Sequence, residues 1–116
     1  MLRRALLPLM LALGVLAPVA DARTTAVGVG LREFQLSPYR DAVRTGRVKF
    51  NVTNFGQDAH DLAVRRRGRT YGRTPEIRAG ERAVLRLRLK PGRYRLICTI
   101  ADHAELGMRA RLRVRP

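Results

Sequence analysis

Apolar and polar residues alternate along much of the chain after residue 25. Over residues 47–54, Val48, Phe50 and Val52 are interleaved with Arg47, Lys49, Asn51 and Thr53. A period of two marks a strand with one buried face. Residues 83–89 repeat it, with Leu85, Leu87 and Leu89 on one side and Arg86 and Arg88 on the other. Residues 93–98 put Tyr94, Leu96 and Cys98 on one face. Residues 110–115 put Leu112 and Val114 inward and Arg111, Arg113 and Arg115 outward. Shorter strands are expected at 26–31, 33–36, 60–65 and 76–78.

Turn residues separate these runs. Asn54-Phe55-Gly56 follows one strand, Ala79-Gly80-Glu81 joins two, and Pro91-Gly92 introduces the strand that ends in Cys98. Residues 37–46 and 66–75 read as loops or short helical turns. The Arg65-Arg66-Arg67-Gly68-Arg69 run reads as an exposed loop with a solvated charge cluster; a docking patch is the sharper alternative. Short strands at near-regular spacing predict an all-β fold, an antiparallel Greek-key β-sandwich of about eight strands. No internal repeat or low-complexity tract divides it.

The first 22 residues follow a different pattern. Arg3 and Arg4 precede an apolar run from Ala5 to Ala17, and Ala20 and Ala22 occupy small positions typical of a cleavage site. This is the layout of a secretory signal, shorter than the ~20 apolar residues of a spanning helix. Residues 1–22 are therefore expected to be a signal peptide and residues 23–116 the domain, exported to the periplasm or another extracytoplasmic space. The Arg pair does not decide the export route. Removing Arg3, Arg4 and Asp21 from 24 basic and 9 acidic residues leaves a charge of +14. Such a field favours anionic partners, either an acidic redox protein or an anionic membrane surface, and sets association rate more than affinity. Nucleic acid is disfavoured by the expected export and by few aromatics for base stacking. Nearly all the bases are Arg on strand faces, so compositional bias alone also accounts for them. A monomer is expected.

The candidate chemistry lies near the C-terminus. Cys98, His103 and Met108 are spaced with four residues between neighbours, and His60 lies upstream. Outside the leader, the chain has one Cys, two His and one Met. A lone Cys makes no internal disulfide, and an unpaired thiol in an oxidising compartment calls for another use. Two imidazoles, a thiolate and a weak axial thioether are the donor set of a blue copper electron-transfer site, where a nearly fixed geometry permits fast one-electron exchange. Taken singly, each has a plainer reading: a core imidazole, a gap-filling Met, a small buried Cys. No Ser/His/Asp arrangement, carboxylate pair or phosphate-cradling loop points to an enzyme; Asp102 and Glu105 read as exposed loop carboxylates, and Gly28-Val29-Gly30 is too short for a nucleotide motif.

Residues 48–54 leading to His60, and Pro91 to Cys98 leading through His103 to Gly107-Met108, resemble a small cupredoxin of the plastocyanin/azurin group. The resemblance covers roughly residues 25–115. It implies an eight-stranded β-sandwich, one mononuclear type 1 copper, ligand roles for His60, Cys98, His103 and Met108, and one-electron carrier activity. The spacings are more similar to the rusticyanin and auracyanin loops than to the shorter plastocyanin loop. The family also implies electron passage at the His103 edge, inside an apolar collar of Ala101, Ala104, Leu106 and Gly107. Two positions depart from the family pattern. Asp61 stands where Asn commonly follows the first His, in a place that ties the ligand loops together. Arg109 puts a cation after Met108. The alternative function is copper handling, delivery or buffering, against which a single Met speaks; a vestigial partner-binding sandwich is the third reading.

Overall fold

The computed structural model describes residues 1–14 and 23–116. The expected cleavage site and the end of the apolar leader run lie outside the described residues. Residues 1–14 are exposed and without regular secondary structure. Among the described residues, no helix is long and apolar enough to cross a membrane.

Nine strands form two packed sheets. They are β1 (Thr25–Arg32), β2 (Gln35–Pro38), β3 (Ala42–Arg44), β4 (Gly46–Asn54), β5 (Ala63–Arg66), β6 (Arg69–Arg73), β7 (Arg82–Leu89), β8 (Gly92–Ile97) and β9 (Arg109–Arg115). One helical turn, α1 (His103–Leu106), precedes β9. The first sheet runs β2-β1-β4-β7 and the second β3-β9-β8-β5-β6. The alternating faces meet between them: Val27, Val29 and Leu31 from β1, Val48, Phe50 and Val52 from β4, Tyr94 and Leu96 from β8, and Leu112 and Val114 from β9 are all buried. Burial of each such side chain stabilises the fold by about 1.5–3 kcal/mol relative to exposure.

The sandwich differs from expectation in five respects. Both sheets are mixed, because β1 pairs with β4 and β3 with β9 in parallel. The strand total is nine rather than the expected eight because β3 and β6 arise in segments read as loops while the strand expected at 76–78 is lost. Both are edge strands held by a partner rather than by their own pattern: β3 by β9, and β6 by β5. The Arg65–Arg69 run is the β5–β6 hairpin itself, with Arg67 and Gly68 both at positive φ in its two-residue turn. Residues 76–78 form no strand; Ile77 makes an isolated bridge to His60. In β7, Leu85 and Leu87 are only partly buried, as suits the edge of the first sheet.

One tyrosine fixes the approach to the site. Tyr94 lies fully inside, stacks edge-on to Tyr71 with ring centroids 5.3 Å apart, and donates its hydroxyl to the Lys90 carbonyl at 2.7 Å. This pins the β7–β8 turn and sets the start of the strand that delivers Cys98.

Candidate metal centre

Three side chains from two distant segments converge at one end of the sandwich. Cys98 follows the last residue of β8, and its N–H donates to the Met108 carbonyl at 3.1 Å. His103 opens α1, and its carbonyl accepts the Met108 N–H at 3.0 Å. His60 comes from the connection between β4 and β5. Its N–H and C=O both bond to Ile77, at 3.0 and 2.7 Å, so its backbone is fixed before its ring is considered.

The rings bring their Nδ1 atoms together. His60 Nδ1 lies 3.2 Å from His103 Nδ1, and the Cys98 sulfur lies 3.9 Å from the first and 3.7 Å from the second. All three donor atoms fall within 4.8 Å of one another, and all three residues are buried. Three Lewis bases facing one another in an apolar site suit a cation between them. Cys98 is a free thiol, and burial foremost raises its pKa above the ordinary 9.0. The charge of Asp61 acts in the same direction, while the Asp61 and Ile100 backbone N–H groups pull it down. A bound metal ion reverses that balance by favouring the thiolate. Met108 is fully buried, with its backbone braced between Cys98 and His103. Two imidazoles, a thiolate and a thioether fit one type 1 copper.

The segments carrying these residues are tied by side chains. Asp61 accepts the Thr99 N–H at 2.6 Å and bonds the Thr99 hydroxyl as well. Asn54, fully buried, donates to the carbonyls of Asp58 and Ile77 at 2.8 and 2.9 Å and accepts the Gly56 N–H at 2.8 Å. Asn54 thereby shapes the turn that leads to His60.

Glu33 is not legible as a site residue from its sequence position. It lies in the β1–β2 turn, and its Oε1 sits 2.8 Å from His60 Nε2. The same carboxylate accepts the N–H groups of Gln57 at 3.0 Å and Asp58 at 2.8 Å. These bonds hold its pKa at about 2, below the usual 4.5. Gly56 leaves room for it: a Cβ there would overlap the Glu33 carboxylate. No spacing rule links a turn glutamate to a histidine 27 residues away.

His103 is the outer of the two rings. It is 8% exposed, His60 0%. Phe34 packs on it at a centroid distance of 5.1 Å, and Leu106, Phe34 and Phe55 are exposed large apolar residues at 52%, 36% and 52%. Asp102 and Glu105 are exposed, as expected, and Arg109 projects outward at the start of β9.

Solved structures share this architecture. An auracyanin from Roseiflexus castenholzii matches with a TM-score of 0.63 and 16% identity, over 84% of this chain and 100% of that one. Auracyanin A from Chloroflexus aurantiacus, a blue copper protein, matches with a TM-score of 0.66 and 13% identity, over 80% of this chain and 100% of its own. The chain has the cupredoxin fold. Rusticyanin from Thiobacillus ferrooxidans shares it as well, with a TM-score of 0.69 and 13% identity over 79% of this chain and 77% of that one. No protein-family model matches the chain, and no curated protein matches it in sequence. The cupredoxin likeness thus resides in backbone architecture, and the chemistry rests on the donors described above.

Proposed function

We propose that this protein is an exported one-electron carrier, not an enzyme, that binds one type 1 copper through His60, Cys98, His103 and Met108. The observation that carries the reading is the convergence of two buried imidazole Nδ1 atoms and a buried free thiol at 3.2–3.9 Å. Copper bound there supplies reversible one-electron exchange. The chain holds the donors on a strand end, a bridged loop and a helical turn, so the site is set before metal arrives. The surrounding core excludes water from all but the His103 side.

Electron exchange is assigned to the His103 edge, with Phe34 and Leu106 beside it. The partner is a redox protein with an acidic docking surface. Support comes from arginines standing directly opposite one another on the outer sheet face, Arg93 to Arg113 and Arg95 to Arg111. Their mutual repulsion is relieved by an anionic surface. Exchange with such a partner slows as salt rises.

The deciding experiment is the visible and EPR spectrum of the domain with one equivalent of Cu(II), beside Cys98→Ala. An intense band near about 600 nm, lost in the variant, supports the type 1 site. Colourless, tetragonal Cu(II) sinks it. Rapid loss of copper to a chelator would instead favour copper handling.

A further inference from the structure

His60 is gripped from both sides of its ring. Nδ1 faces Cys98 and His103, while Nε2 faces Glu33 at 2.8 Å. The two rings are unequal in this respect: among the described residues, His103 Nε2 has no hydrogen-bond partner, and its ring meets Phe34 instead. The Glu33 carboxylate is itself immobilised by the Gln57 and Asp58 N–H groups in the space left by Gly56. The β1–β2 turn and the loop before His60 are therefore joined at a single acceptor that also reaches the imidazole.

Resting on the copper assignment above, we propose that Glu33 is a positioning residue for the metal centre. It fixes His60 in the tautomer that presents an unprotonated Nδ1, and its charge favours the higher oxidation state of bound copper. A neutral imidazole carries one N–H. A carboxylate acceptor at Nε2 places that hydrogen there and leaves the Nδ1 lone pair aimed at the site. A ligand imidazole that donates to a carboxylate is also a stronger base. The stronger donor and the nearby negative charge stabilise Cu(II) more than Cu(I), which lowers the reduction potential. Ring orientation follows from the same contact, since the His60 backbone is already fixed by Ile77.

The test compares the wild-type domain with Glu33→Gln. In the metal-free wild type, nitrogen NMR of the imidazoles is expected to find His60 as the Nε2–H tautomer. In the copper-loaded proteins, E33Q is expected to keep the blue band. Its Cu(II) affinity should fall about tenfold or more, its Cu(I) affinity should fall less, and its potential should rise. A tenfold change in the ratio of the two affinities corresponds to about 59 mV. An Nδ1–H tautomer in the wild type overturns the proposal, as do a potential and Cu(II) affinity unmoved by E33Q. Should E33Q not fold, the wild-type tautomer decides. Should the wild type show no blue band, the copper reading fails by itself; the tautomer and the Zn(II) affinities of the two proteins then decide the role of Glu33.

Discussion

The Asp61 carboxylate bridges to Thr99, accepting its backbone N–H at 2.6 Å and bonding its hydroxyl. Asp61 follows His60 and Thr99 follows Cys98, so one side chain joins the two segments that carry these donors. Asp61→Ala leaves the Thr99 N–H unpaired and is expected to cost about 1–3 kcal/mol. Asp61→Asn keeps an acceptor for that N–H and removes a negative charge near the sulfur. Its reduction potential should exceed that of the wild type. Voltammetry and thermal unfolding of both variants check this; an equal or lower potential in D61N contradicts it.

Glu33 gives the metal-free fold an acid-sensitive clasp. Its folded pKa of about 2 lies below the ordinary 4.5, through the Asp58 and Gln57 N–H groups above all. A depressed carboxylate pKa stabilises the fold fully above the unfolded value, and the contribution is lost as pH falls through the folded one. Urea unfolding of wild type and E33Q should therefore show a stability gap that is constant near neutrality and closes between about pH 4.5 and 2. A gap independent of pH would count against the clasp.

Gly107 adopts φ +132°, and a Cβ there would lie 2.8 Å from the Phe34 carbonyl oxygen. It directly precedes Met108. Gly107→Ala combines an unfavourable backbone conformation with a clash against main chain, and should destabilise the domain by about 1–3 kcal/mol or more. Thermal unfolding of the metal-free protein measures it, and unchanged stability would refute the assignment of strain.

Met108 is fully buried, so its replacement must conserve volume to isolate chemistry. Met108→Leu should cost less than about 1.5 kcal/mol in stability. Loss of the weak thioether donor should disfavour Cu(II) and raise the potential while the blue band survives. An unchanged potential would show that Met108 serves packing alone.

Strands with a complete alternating pattern are legible in the residue order. β4, β8 and β9 fall where Val48-Phe50-Val52, Tyr94-Leu96 and Leu112-Val114 place them. β3 and β6 are not, because Ala42–Arg44 and Arg69–Arg73 have little apolar periodicity and owe their form to neighbours on β9 and β5. Ile77 shows the converse case: an apolar residue in a short run forms a lone bridge beneath His60. Asp61 is expected from its position to tie the two loops, and its bonds to Thr99 do so.

What the sequence determined by itself was the kind of matter available: one thiol, two imidazoles and one thioether after residue 22, on strands whose period sends alternate residues inward. Those properties are local, fixed by residue identity and by the pleat of an extended chain. The tertiary structure alone decided that strands pair in parallel within both sheets, that Nδ1 of each imidazole faces the site, and that Glu33 grips His60 from the far side. Each depends on approach between segments distant along the chain, where partners are chosen by the packing of whole sheets and the need to satisfy every buried polar group.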